Sequence, residues 1–218
     1  MRLTIIYDNE VYSRHQGLRS DWGFACLVES SDHTILFDTG AKGNILLSNM
    51  NILGVDIQAI TEIVISHDHW DHNGGLDDLL ALWSGGTIYT PTSLKNTASS
   101  VNSVFSKKPC MIANDIFTTG LLPGDPVDEQ SLILHGDQGW YVLAGCSHSG
   151  VGAILQKAQN HGEVTGLIGG FHGFNAFSLL KNLSFICPCH CTQHTQQIKT
   201  LYPDAYTKGG VGKIIQLH

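Results

Sequence analysis

Between Ile65 and Leu76 the chain reads ISHDHWDHNGGL, which places His67, Asp68, His69, Asp71 and His72 within six residues. Imidazoles and carboxylates at that density repel one another, or waste burial, unless a cation sits among them. In an extended segment residues two apart share a face, so His67 and His69 point the same way and can grip one ion. A turn at Trp70 then lets Asp71 and His72 face a second ion beside it. Such donors suit Zn(II), Fe(II), Mn(II) or Ni(II), and imidazoles with one carboxylate leave a coordination position open for water. The chemistry expected is a water activated at neutral pH.

One strand end cannot surround a metal, so further donors must come from the second half of the chain. The candidates are His148 in AGCSHSG, His172 in IGGFH and His190 in PCHCT. His172 is open to three readings: a terminal ligand, a general acid for the leaving group, or a core histidine. Gly169-Gly170 ahead of it allows backbone to approach a ligand closely. Cys146, two residues before His148, reads as a thiol beside the site or as packing. Cys187, Cys189 and Cys191 lack the C-x₂₋₄-C spacing of zinc sites and read as buried thiols, with His190 set opposite them by strand alternation. His15, His33, His135, His161, His194 and His218 receive no role. KGGVGKI resembles a phosphate loop but lacks its first glycine, Thr207 standing there, and its Ser or Thr, Ile214 standing there.

The bulk numbers agree with a small-molecule metalloprotein. Twelve histidines equal the 12 Lys+Arg, an unusual ratio that raises the prior for metal. With 218 residues, 42% of them hydrophobic, the chain can bury one core, so a single domain over residues 1–218 is expected. A net charge of −7 without a basic run argues against nucleic-acid and anionic-lipid partners. No signal-like or membrane-spanning apolar run is present, so a soluble cytoplasmic protein with thiol cysteines is expected, its oligomeric state unspecified.

The elements that must position these donors are legible from apolar patterning. Leu3–Tyr7 alternates, and Phe24–Val28 and Thr34–Phe37 flank the turn ESSDH as a hairpin. GNILLSNMNILG carries Leu46, Met50 and Leu53 on one helical face and stops at Gly54. EIVIS is a buried strand delivering the chain into the His/Asp cluster, and GLDDLLALW follows as a helix. From Ser84 to Asp128 the pattern loosens around a strand at TIYTP. SLILH and WYVLA then form a second hairpin around GDQG. A helix with Val151, Ile154, Leu155 and Ala158 on one face ends at Gly162. VTGLIGGF and SFICP read as strands, TQHTQQIKTLY as a helix opened by Thr192, and GKIIQL as a closing strand. Two β-rich halves with helices outside predict a four-layer α/β/β/α sandwich; a doubly wound fold fits the hairpins less well.

HDHWDH, followed by Asn73-Gly74-Gly75, resembles the HxHxDH signature of the metallo-β-lactamase superfamily, and LFDTG at Leu36–Gly40 resembles that superfamily's LxDTG element. The resemblance implies the αββα sandwich and a mono- or dinuclear centre. It further implies that Asp38 orients a ligand histidine without touching metal, that His148 completes the ion of His67 and His69, and that His190 is the last histidine to enter. Where the superfamily places a bridging aspartate, this chain has His172. YDN, GLLPGDPVDEQSL, AGCSHSG, IGGFH and PCHCT are similar to the dihydropterin-ribofuranosyl-aminobenzene-phosphate synthase-like branch. The chain departs from that branch in a shorter segment after Gly75, in Gln193 for glycine and in Gly173 for leucine.

The function expected is a metallo-hydrolase. One or two divalent ions, zinc first, held by His67, His69, Asp71, His72, His148, His190 and His172, would turn water against a small ester, phosphoester or lactone, with Asp71 and His172 as catalytic groups. The alternatives are a pterin-related synthase of the resembled branch and a non-catalytic, metal-holding ligand sensor.

Overall fold

The computed structural model describes residues 1–12, 17–91 and 102–217, so His15 and His218 lie outside the described residues. The chain opens with β1 (Arg2–Tyr7), β2 (Ala25–Glu29) and β3 (Thr34–Phe37), then α1 (Gly43–Ile52) and β4 (Glu62–Val64). A one-turn helix α2 (Trp70–Asn73) and α3 (Leu76–Leu80) lead to β5 (Thr87–Thr90). β6 (Asn102–Phe105), β7 (Cys110–Ala113) and β8 (Ile116–Thr118) precede the hairpin β9 (Leu132–Gly136) and β10 (Gly139–Ala144). The chain ends with α4 (Val151–Ala158), β11 (Val164–Gly170), β12 (Phe185–Cys189), α5 (Thr195–Leu201) and β13 (Ile214–Gln216).

Two sheets result, ordered β13-β1-β2-β3-β4-β5-β6 and β12-β11-β10-β9-β8-β7. Each joins an antiparallel part to a parallel part: β3 to β6 run parallel in the first, β10 to β12 in the second. Both expected hairpins form, pairing Cys26 with Phe37 and Leu143 with Leu132 at their ends. β13 returns from the second half to pair with β1, so the last strand belongs to the first sheet.

Alternation sorts the apolar residues into three layers of core. Leu3, Ile5, Val28, Ile35, Val64, Leu132, Leu134, Leu143 and Ile168 meet between the sheets. Leu36, Ile63 and Ile88, on the opposite faces of their strands, pack under Leu46, Met50 and Leu79 of α1 and α3. Val142 and Leu167 do the same under Val151, Ile154, Leu155 and Ala158 of α4. The four-layer sandwich is the observed fold, with apolar surface buried on both sides of each sheet.

Two readings of elements change. The loosened stretch holds three strands, β6 to β8: the residues of β6 and β7 are largely exposed or half-buried and show no clear alternation, and β8 is only three residues long. Thr192 does not open α5: its hydroxyl donates to Cys189 O and accepts Phe171 N–H, and the helix starts at Thr195.

Candidate metal centre

β1, β3, β4, β10, β11 and β12 all end at one edge of the sandwich, and the candidate donors lie just past those ends. The backbone turns sharply there. Five described non-glycine residues have positive φ, and four of them are Asp38 (59°), Ser147 (63°), His172 (45°) and His190 (48°), each within three residues of such an end. A left-handed residue costs about 1–3 kcal/mol and persists where the surroundings over-determine it.

After β4, extended backbone carries Ser66 and His67 inward, and His69 then caps α2, which supplies Asp71 and His72. α2 is docked by its carbonyls: Asp71 O accepts Phe24 N–H, and His72 O accepts the Thr39 N–H and hydroxyl. Asp38, turned at the end of β3, takes Ser66 N–H on one oxygen at 2.7 Å and the Ser66 hydroxyl on the other, also at 2.7 Å. The second oxygen also meets His72 Nδ1 at 2.7 Å. Asp38 thus holds a histidine and faces no open donor position.

These contacts fix where the imidazole protons sit. His72 Nδ1 faces a carboxylate oxygen and must carry its hydrogen, leaving a lone pair on Nε2. The Ser66 hydroxyl gives its hydrogen to Asp38, so it accepts from His67 Nδ1 at 2.9 Å, and His67 Nε2 keeps its lone pair. His148 Nδ1 lies 3.3 Å from the Asp125 carbonyl and donates to it. Asn9 Oδ1 accepts Gly23 N–H and its Nδ2 donates to the His190 carbonyl, so that same Oδ1 accepts from His190 Nδ1 at 3.0 Å. Nε2 of His148 and of His190 are buried without any hydrogen-bond partner. Four Nε2 lone pairs therefore converge, with Cys146 Sγ 3.1 Å from that of His72 and His69 Nδ1 3.1 Å from that of His67.

Electrostatics keep the rings of His67, His72 and His148 neutral. Burial, then the neighbouring rings of His72, His148 and His69, hold His67 far below the ordinary histidine range. Burial and His190 lower His72 likewise, and burial with His69 and His172 lowers His148. Burial pushes the Asp71 carboxyl up, but the adjacent His190 ring and then the His72 ring override it, so Asp71 stays ionised. Its Oδ2 accepts the Trp22 indole N–H at 2.9 Å and lies 3.3 Å from His190 Nε2.

The donors fall into overlapping groups whose ligand atoms lie within 4.8 Å of one another. His67, His69 and His148 form one, and Asp71, His72 and His190 another. Cys146 joins His67 with His72 in a third, and His190 with Cys191 in a fourth. Six of the seven expected metal residues are thus brought together, and lone pairs, carboxylate and burial fit one or two divalent cations. His172 is outside these groups: it is exposed, its ring centroid 5.1 Å from that of His148. A Cβ at Gly173 would lie 3.7 Å from Gln193 Oε1, so the two positions that depart from the resembled branch face each other beside His172.

Several contributors lie outside the expected set. Strand alternation holds for Cys187 and Cys189, which enter the inter-sheet core, but the positive φ of His190 swings Cys191 to the same side as the ring. Its sulfur sits 3.3 Å from that of Cys146. The hydrogen bond between the thiols, with burial, pushes Cys146 far up, while the same bond lowers Cys191. Glu129, buried ahead of β9, accepts N–H from Cys146 and Ser147 on Oε1 and from His148 on Oε2. Asp8 accepts His190 N–H at 2.8 Å. Gly170 approaches protein, not a ligand: a Cβ there would meet Gly145 O at 2.4 Å and Cys191 Sγ at 2.8 Å.

Comparison with known proteins agrees with this fold. An uncharacterised protein of Methanocaldococcus jannaschii is 26% identical across 98% of this chain and 99% of its own length. A second protein of that organism, 7,8-dihydropterin-6-methyl-4-(beta-D-ribofuranosyl)-aminobenzene-5'-phosphate synthase, is 24% identical across 85% of this chain and 83% of its own. The crystal structure of a metal-dependent hydrolase of the β-lactamase superfamily shares the fold with a TM-score of 0.79, at 23% identity, over 100% of this chain and 99% of that one. Residues 23–159 match the family model of the metallo-beta-lactamase superfamily, and the chain belongs to that superfamily.

Proposed function

We propose that the chain is a metal-dependent hydrolase acting on a small ester, phosphoester or lactone. The observation that carries this is the convergence of the Nε2 lone pairs of His67, His72, His148 and His190 beside the ionised Asp71. One or two divalent ions, zinc first with iron, manganese or nickel as alternatives, would be held by His67, His69 and His148 and by Asp71, His72 and His190. Such ions supply Lewis acidity and make water nucleophilic at neutral pH.

The chain's own residues do the rest. Asp71 Oδ2, fixed by the Trp22 indole, accepts a hydrogen bond from the attacking water and orients it. Asp38, Ser66, Asn9 and the Asp125 carbonyl keep the imidazole protons on Nδ1, so the lone pairs stay inward. His172, exposed beside His148, stands where a leaving group departs and gives it a proton. A small-molecule substrate and a soluble protein are part of the reading; no helix among the described residues is long and apolar enough to cross a membrane. Against a panel of esters, phosphoesters and lactones, His67→Ala and Asp71→Ala should each lose at least about 100-fold in turnover. Full turnover in either variant would overturn the reading.

A second reading, a pterin-related synthase, rests on the 24% identical relative of that name. Saturable binding of reduced pterins would support it, and complete absence of binding would remove it.

A further inference from the structure

The hydrolase reading leaves the thiols at the centre without a role. Cys146 Sγ lies 3.1 Å from His72 Nε2 and 3.3 Å from Cys191 Sγ, and both residues are buried. It neighbours His67, a member of one imidazole group, and His72 and His190, members of the other. His190 Nε2, on a side chain with no exposed surface, has no hydrogen-bond partner and belongs to the group that contains both sulfurs. A buried imidazole lone pair aimed at two thiols is a ligand set of the kind that zinc and cobalt prefer, with soft sulfur and borderline nitrogen on one ion.

Charge points the same way. Among the described residues Asp71 is the only carboxylate in these donor groups, and it already accepts the Trp22 indole N–H. Two dications with one anionic donor would leave the donor set strongly positive, and thiolates are the remaining donors in these groups able to offset that. We propose that Cys146 is itself a metal donor, shared between the His67/His69/His148 and Asp71/His72/His190 groups, with Cys191 the second sulfur of the same centre. Binding displaces each thiol proton to solvent. No other cysteine joins a donor group among the described residues: Cys26, Cys187 and Cys189 are in the inter-sheet core, and Cys110 is on β7.

The inference rests on the metal-dependent reading, and the test separates the two. The full chain is reduced, stripped of metal and loaded with cobalt(II) alone. The wild type should show thiolate-to-cobalt charge-transfer absorption in the near ultraviolet. Cys146→Ala should lose most of that band and bind its weaker cobalt equivalent at least about 10-fold less tightly. Cys191→Ala should keep part of the band. X-ray absorption of the zinc-loaded wild type needs no variant and should show sulfur at about 2.3 Å. Stoichiometric metal with only nitrogen and oxygen neighbours would overturn the thiolate proposal and leave the hydrolase reading standing. A wild type that takes up no metal would overturn both, and an undiminished band in Cys146→Ala would overturn the assignment to Cys146.

Discussion

His172 holds a left-handed φ of 45° while its side chain is exposed and takes no part in the core. A β-carbon in that conformation costs about 1–3 kcal/mol that glycine avoids, and glycine gives back about 1 kcal/mol through its freer unfolded chain. His172→Gly should therefore melt within a few degrees of the wild type while turnover falls by about 10²–10⁴-fold, the usual worth of a positioned proton donor. A thermal melt and a rate assay on one preparation decide it, and unchanged turnover would remove the proton-donor role. Glu129 is the opposite case, buried and bonded to three backbone N–H groups. Burial pushes its carboxyl from 4.5 up to about 7, against the pull of those donors. A carboxyl raised on folding contributes stability in full below its unfolded value and loses it as pH climbs through the folded one. In metal-free protein, Glu129→Gln should lack that decline between pH 4.5 and about 7. Denaturation midpoints of parent and variant that keep a constant gap across the window would contradict the burial argument.

Elements bring these residues together by ending in the right places, and one close approach is between the ends of β4 and β10. A Cβ at Gly145 would fall 2.3 Å from the Ser66 hydroxyl, which bridges Asp38 and His67. Gly145→Ala should cost about 1–3 kcal/mol by overpacking and also shift His67. Lower stability together with reduced metal content would support this, whereas a stability loss with full metal content would confine the effect to packing. This geometry also marks what could be read from sequence. The hairpins, α1 and α4 were legible because each buries one face at a fixed period, and the HDHWDH donors because they are contiguous. Cys191, Glu129 and Trp22 were not, since each reaches the centre through a contact remote in sequence. The edge strands β6 and β7 carry too little buried surface to imprint a period, and β8 is only three residues long. Cys191 was hidden for a further reason, because one positive φ at His190 reverses the alternation that sequence reading assumes.

At the scale of the molecule, the donors are divided between layers. His67, His69, Asp71 and His72 follow a strand of the first sheet, while Cys146, His148, His190 and Cys191 follow strands of the second. A bound ion would then tie the sheets together and stabilise the fold by mass action, by about 2.7 kcal/mol at a free metal concentration 100 times the dissociation constant. Removing metal with a chelator should lower the melting temperature by several degrees, and readdition should restore it. An identical melt in both states would contradict a centre shared between the sheets. The same division has a kinetic consequence. Donors from both sheets meet only after the sheets have docked, so the ion has no complete site in the folding transition state. Metal should therefore slow unfolding and leave the refolding rate nearly unchanged, acting as a latch on a finished structure and not as a nucleus for making it.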